Sequence, residues 1–150
     1  MIQEAYVSFE TAKLLKERGF DGECMSMYVT PKPHAGMGNP NKAKIAPHGR
    51  DSHYYDGYLY QCEAPTLQIA MRWLREVHNI FLFVYPQFKG NVEIEPDKTS
   101  YWEFNGWSGK PMILKEKMID IIGLDEVSGV FGSYEEVCEA GIKYCLEHLI

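Results

Sequence analysis

The sequence lacks the features that mark membrane-spanning, disulfide-rich or nucleic-acid-binding proteins. Its purely apolar stretches span only a few residues, far fewer than the roughly 20 needed to cross a bilayer. None of its four cysteines forms a C-x-x-C pair, so we expect reduced thiols rather than a disulfide framework. Fifteen basic residues stand against 21 acidic ones, and the net charge of −6 opposes general binding to a phosphate backbone.

Signatures of catalysis, cofactor binding and export are absent as well. The segment 106–110 (GWSGK) resembles a phosphate-binding loop, but Phe104 stands where that loop needs a glycine and Pro111 where it needs Ser or Thr. No dinucleotide fingerprint, zincin motif, nucleophile elbow or paired-cysteine zinc spacing occurs. The first five residues show no basic region followed by an apolar run. We therefore expect a cytoplasmic protein without a cofactor.

What is present is typical of a globular domain. The 150 residues are 45% hydrophobic, 24% charged and 13% aromatic, which suits one α+β domain over residues 1–150. Local signals predict three helices. The first begins after Ser8 and stops at Gly19, the second opens at Pro65–Thr66 and runs to about His78, and the third follows the capping box of Ser133 and Glu136.

Four segments have the composition of strands, namely 24–29, 58–62, 80–85 and 101–107. The third is apolar throughout, which predicts a central strand covered on both faces and ended by Pro86. Residues 112–130 are ambiguous between strand and helix. The element order predicts an antiparallel sheet of about four strands, with three helices packed mainly on one face. A long loop at 30–56 is inserted into this domain.

The loop at 30–56 is the most informative segment for function. Its four basic and two acidic residues give a net charge of +2, which leaves −8 for the rest of the chain. Glycines allow backbone amides to approach a ligand, and the tyrosines that follow offer stacking faces or hydroxyl donors. These features favour a small anionic, nucleotide-like ligand. The candidate binding residues are Lys42, Lys44, His48, Arg50, His53 and Tyr54 of the loop, with Arg72 and Arg75 of the second helix.

Other interpretations of the same residues remain open. The loop residues are equally typical of a solvated surface loop, and Arg72 of a solvated helix face on which it pairs with Glu76. A metal site would use His48, Asp51 and His53, although the spacing matches no strong zinc pattern. A phosphodiester hydrolase would use His48 and His53 as general acid and base, with charge stabilised by Lys42, Lys44 or Arg50. A structural or homo-oligomeric interaction protein is a further class.

Three stretches of the sequence resemble a known family. They are 5–20 (AYVSFETAKLLKERGF), 64–80 (with APT and MRWLREVHNI) and 133–146 (SYEE with IKYCL). Together they are similar to a family of small uncharacterised proteins encoded by gut-bacterial phages and integrated mobile elements. The resemblance supplies no activity, so it assigns no catalytic residue. It implies a host bacterial cytoplasm and a fixed helical scaffold whose variable loops carry specificity.

From these observations we expect a non-enzymatic accessory protein, with the enzyme alternative left open. It would bind a small anionic ligand or a host protein, in a role such as counter-defence against the host. General nucleic-acid binding and membrane association are not expected.

Overall fold

The computed structural model describes residues 4–34, 36, 38–49, 56–87, 101–108 and 133–150. Contacts group the chain into two units, Met1–Ala70 and Met71–Ile150; the expectation of a single domain stays a prediction. Along the chain the elements are α1 (Phe9–Glu17), β1 (Ser26–Pro31), β2 (Lys44–Pro47), β3 (Tyr58–Glu63), α2 (Leu67–His78), β4 (Ile80–Gln87), β5 (Tyr101–Ser108) and α3 (Tyr134–His148). None of these helices is long and apolar enough to cross a membrane.

The α+β class with antiparallel strands is confirmed. In the first unit the strand order is β2-β1-β3, and in the second unit β4 pairs with β5. Both neighbours of β1 run antiparallel to it, as β5 does to β4. The packing of all three helices on one face stays a prediction, and the ambiguous segment 112–130 lies outside the described residues.

Three sequence-based expectations about strands were wrong in detail. The loop at 30–56 is not free of regular structure, because β1 extends to Pro31 and β2 occupies Lys44–Pro47. The segment at 80–85 is not covered on both faces, since Phe83 is 55% exposed, and within the described residues β4 pairs only with β5. Pro86 does not end this strand, which continues to Gln87.

Side-chain caps define the helix starts where the sequence predicted them. Ser8 Oγ accepts a hydrogen bond from the Thr11 amide at 3.2 Å, which satisfies one of the free amides of the first turn of α1. Gly19 follows that helix with φ of +85°, a conformation that glycine adopts without steric cost. Ser133 Oγ accepts from the Glu136 amide at the start of α3. Thr66 Oγ1 accepts from the Ile69 amide at the start of α2.

Helix α1 packs on the first sheet through a small core. Leu15 and Cys62 are 0% exposed. Tyr28, which lies opposite Cys62 and shares its face of the sheet, donates a hydrogen bond from its hydroxyl to the Val7 carbonyl within this core. All four cysteines are free thiols, and three of them are buried. Burial of Leu15 and Cys62 fixes which face of the sheet is turned toward α1 and which face is left for other contacts.

A β-bulge interrupts the pairing of β1 with β3. Tyr28 lies opposite Cys62 and Val29 opposite Tyr60, so Gln61 is the additional residue. Its carbonyl accepts a hydrogen bond from Lys16 Nζ of α1 at 2.6 Å. Its side-chain amide donates to Thr30 Oγ1 at 2.8 Å. The backbone carbonyl and the side-chain NH2 group of the bulge residue thereby have partners, and Lys16 is held at the outer edge of β3.

We expect replacement of Ser8 by Ala to lower the free energy of unfolding by about 1 kcal/mol, because the substitution removes the cap of α1. Ser8→Asp is the matched control, since aspartate is an equally good cap, and this variant should stay close to the wild type. Urea denaturation followed by circular dichroism measures both. Equal losses for the two variants would show that the cap is not the source of the effect.

A second expected outcome concerns His78 at the end of α2. Burial lowers the pKa of His78 below its ordinary value of 6.5, and its buried Nε2 atom has no hydrogen-bond partner in the described part of the chain. The unfolded chain therefore takes up this proton at a higher pH than the folded protein does. Its contribution to stability is complete above pH 6.5 and declines as the pH falls below that value.

Denaturation in urea at pH 7.5 and at pH 5.0 tests this linkage. The loss of unfolding free energy between the two conditions should be smaller in His78→Phe, whose ring can still pack against Trp73 at the 4.4 Å centroid distance seen for the imidazole. His148→Gln removes an exposed histidine of α3 and should keep the full wild-type difference. An unchanged difference in His78→Phe would contradict the assignment.

Candidate functional site

The strand register brings the predicted residue Lys44 and two tyrosines that follow the loop onto one face of the first sheet. Lys44 of β2 lies opposite Val29 of β1, and Val29 lies opposite Tyr60 of β3. Because directly opposed residues in antiparallel strands point to the same face, Lys44 and Tyr60 share a face. Tyr58 lies two residues before Tyr60 on the same strand and shares it too.

Two lysines contact the tyrosine rings of this face. Lys44 Nζ lies 3.7 Å from the centroid of the Tyr58 ring, so its side chain crosses β1 to reach β3. Lys16 Nζ lies 5.4 Å from the centroid of the Tyr60 ring. Tyr60 is 52% exposed, which leaves much of its surface available to a ligand. We call these four residues, Lys16, Lys44, Tyr58 and Tyr60, the lysine–tyrosine surface.

Two more lysines of the predicted loop flank this surface. The Lys32 amide donates to the Gly57 carbonyl at 2.7 Å, which places Lys32 beside the start of β3. Lys42 lies two residues before β2, where its amide bonds the Asn39 carbonyl in a turn. Both residues are exposed. The structure thus brings loop cations to the end of the sheet that carries Tyr58.

His48 joins a different group of residues. Its Nε2 atom lies 2.7 Å from Glu63 Oε2, and the Tyr60 hydroxyl donates to Glu63 Oε1 at 3.1 Å. The Glu63 carboxylate therefore connects the imidazole to the lysine–tyrosine surface. Partial burial, followed by the charge of Glu63, raises the pKa of Tyr60 to about 12. The phenol consequently stays protonated and remains a hydrogen-bond donor at neutral pH.

Beside His48 lies an open pocket of about 560 Å³. We call it the acidic pocket; it is lined by Asp21, Gly22, Glu23, Cys24, Met25, His48 and Glu63. Its three carboxylates, with no lysine or arginine among its lining residues, disfavour an anionic substrate such as a phosphodiester. The sequence-based expectation that His48 would face an anion is therefore not supported by its immediate surroundings.

The thiol in the acidic pocket is not activated. Burial and, to a smaller extent, the negative charge of Glu63 raise the pKa of Cys24 to about 11. Its Sγ atom donates a weak hydrogen bond to the Gly22 carbonyl at 3.6 Å. A nucleophilic cysteine needs the opposite environment, one that stabilises the thiolate. This thiol is a poor candidate for covalent catalysis.

Four other residues of the predicted sites fall outside the described residues, namely Arg50, Asp51, His53 and Tyr54. The metal site and the paired-histidine hydrolase therefore stay predictions. Within the described residues, no group of three or more His, Cys, Asp or Glu side chains is arranged to hold a metal ion.

The helix arginines belong to the second unit. Arg72 Nε bonds Glu76 Oε1 at 2.8 Å, the exposed pair expected for a solvated helix face, and Arg75 is exposed. Their participation in one electropositive wall with the loop stays a prediction.

Sequence reasoning missed two members of this site, Lys16 and Glu63. Lys16 was given no role from the sequence, because its contact with β3 spans 45 positions of sequence. Glu63 ends β3 and carries no motif. Alternation on β3 was the one signal available for Glu63, but the bulge at Gln61 shifts that alternation by one residue.

The site and fold define an α+β protein with a cationic, aromatic surface next to an acidic pocket. Comparison with protein-family models, curated proteins and solved structures found no match to the chain.

We expect Cys24 to react slowly with iodoacetamide. At pH 8 a thiol with a pKa near 11 has a thiolate fraction about 100-fold lower than one with the ordinary value of 9.0. Peptide mass spectrometry of partially labelled protein measures the rate at this residue. The same protein unfolded in urea is the control and should react at the ordinary rate. Equally fast labelling of the folded protein would restore Cys24 as a candidate nucleophile.

Proposed function

We propose that the protein binds a small anionic ligand bearing an aromatic group, such as a nucleotide, at the lysine–tyrosine surface. The observation that carries the proposal is the contact of Lys44 Nζ with the Tyr58 ring at 3.7 Å. It places a positive charge beside an aromatic ring, with Tyr60 exposed next to it. A phosphate group fits the ammonium, and an aromatic base fits a tyrosine ring, since stacking on aromatic side chains is common in nucleotide recognition.

Energetics favour exchange of the lysine contact for a ligand contact. An exposed cation–π contact contributes about 0.5–1 kcal/mol. A charge-assisted hydrogen bond to a phosphate contributes about 1.5–3 kcal/mol. Lys44 therefore gains free energy when it moves from Tyr58 to an anion, and the ring of Tyr58 is released for stacking. While no ligand is bound, the contact with the Tyr58 ring keeps the Lys44 ammonium at the lysine–tyrosine surface.

This binding would serve an accessory protein of a phage or mobile element in the host bacterial cytoplasm. The resemblance of the three helical blocks supports that setting, in which sequestering a nucleotide signal is one form of counter-defence. A host protein that presents an anionic aromatic group, or a homo-oligomer in which a second copy covers this surface, would use the same side chains. Hydrolysis of a phosphodiester is less well supported, because His48 lies among three carboxylates.

Substitution of Lys44 tests the proposal. Isothermal titration calorimetry with ADP and cyclic AMP should show affinity at least about 10-fold weaker in Lys44→Gln than in the wild type, since a charge-assisted bond is lost. Lys13→Gln is the matched control: Lys13 Nζ also lies over an aromatic ring, at 4.8 Å from the Phe9 centroid on α1. That variant removes the same charge and should bind as the wild type does.

Stability measurements complete the test. Replacing Lys42, Lys44 and Arg50 together by Ala should change the free energy of unfolding by less than about 1 kcal/mol, as surface substitutions usually do. Adenosine, which lacks the phosphate, should bind more weakly than ADP. Absence of binding by both nucleotides to the wild type, or equal losses in Lys44→Gln and Lys13→Gln, would refute the proposal. Unfolding of the triple variant would mean instead that these cations anchor the loop.

A further inference from the structure

The Glu63 carboxylate belongs to both parts of the site. One of its oxygens accepts from the Tyr60 hydroxyl at 3.1 Å, within the lysine–tyrosine surface. The other lies 2.7 Å from His48 Nε2, in the acidic pocket. The negative charge of Glu63 thus lies beside the surface proposed to bind an anion, and the His48 imidazole contacts the other oxygen of the same carboxylate.

Imidazole is the side chain that changes charge between pH 5 and 8. When His48 is neutral, its hydrogen bond leaves the full negative charge of Glu63 next to Tyr60, where it repels an anionic ligand. When His48 is protonated, the pair becomes an ion pair with no net charge. The strength of repulsion at the lysine–tyrosine surface therefore depends on the protonation of a residue that lies outside it.

The groups that face His48 come from two segments. From β3 they are Glu63 and, through it, Tyr60. From the segment that precedes β1 they are Asp21, Glu23 and Cys24, which line the same pocket. None of them carries a positive charge, so no neighbour among these lining residues competes with the imidazolium for Glu63. The His48 side chain is 42% exposed and can exchange protons with solvent.

We propose that the His48–Glu63 pair is a pH-dependent switch that sets the anion affinity of the lysine–tyrosine surface, with tighter binding when His48 is protonated. This inference rests on the proposed function, because its output is the binding of an anion at that surface. The change of one unit charge near an exposed site corresponds to about a two- to five-fold change in affinity.

Calorimetric titration with cyclic AMP tests the switch, because the charge of its phosphodiester does not change between pH 6.0 and pH 7.5. At constant ionic strength the wild type should bind about two- to five-fold more tightly at pH 6.0. His48→Gln should bind equally at both values. His34→Gln removes another exposed histidine of the same loop, and it should retain the wild-type ratio.

Glu63→Gln separates a charge effect from a structural one. Loss of the carboxylate charge should make this variant bind about two- to five-fold more tightly than the wild type at pH 7.5. If the pair only held the strands in place, Glu63→Gln would bind more weakly. Circular dichroism and urea denaturation verify that each variant is folded.

The outcomes distinguish this inference from the function on which it rests. If the wild type binds equally at both pH values while Lys44→Gln binds more weakly, the anion site stands and the switch is refuted. The switch is also refuted if His48→Gln keeps the wild-type ratio, or if Glu63→Gln binds no more tightly than the wild type at pH 7.5. If neither cyclic AMP nor ADP binds at either pH, the proposed function itself is wrong.

Discussion

The arrangement of the first unit depends on the antiparallel register of β1 with its two neighbours. That register places Val29 between Lys44 and Tyr60, and the contact of Lys44 with Tyr58 follows from it. A shift of one residue in β2 would move Lys44 to the opposite face and separate it from Tyr58, because side chains alternate along a strand. Burial of Ala46, which is 4% exposed, opposes such a shift.

The edges of the same sheet are protected by different means. Pro47 lies opposite Ser26, whose carbonyl accepts a hydrogen bond from Ala64 on the other side of β1. Hydrogen bonding alternates along an antiparallel pair, so the nitrogen of Pro47 points away from β1. The missing amide therefore costs no hydrogen bond to β1, and it makes this edge a poorer template for another strand. On β3 the bulge at Gln61 and the bond from Lys16 serve the same purpose. Lys16 has two roles, since it caps an edge carbonyl and contributes charge to the binding surface.

Local signals in the sequence were sufficient for the helices and insufficient for the site. Caps such as Ser8 and Ser133 act within one turn, so the helix starts could be predicted from neighbouring residues. Strand β2 could not, because it is a four-residue edge strand with one buried side chain and shows no alternation. It exists because β1 offers it hydrogen bonds, which is a tertiary effect that composition does not report.

The candidate site grouped Lys44 and His48 because they are close in sequence. The sheet instead carries Lys44 toward Tyr58 and His48 toward Glu63.

Strand geometry explains this separation. Lys44 and His48 stand at opposite ends of β2, about 13 Å apart along an extended chain. Their partners stand at opposite ends of β3, five positions apart in sequence. Because β2 and β3 both run antiparallel to β1, they run parallel to each other. Residues at the start of β2 therefore lie near the start of β3, and residues at the end of β2 lie near the end of β3.

The consequence is that one sheet face holds two kinds of electrostatic environment joined by Tyr60. At the Tyr58 end a lysine ammonium faces an aromatic ring, which attracts cations weakly and yields them to a stronger anion. At the Glu63 end the His48 imidazole lies 2.7 Å from a carboxylate oxygen. The Tyr60 hydroxyl donates to Glu63, and the Tyr60 ring lies 5.4 Å from Lys16 Nζ of α1. Tyr60 is therefore the side chain through which the Glu63 carboxylate contacts the lysine–tyrosine surface.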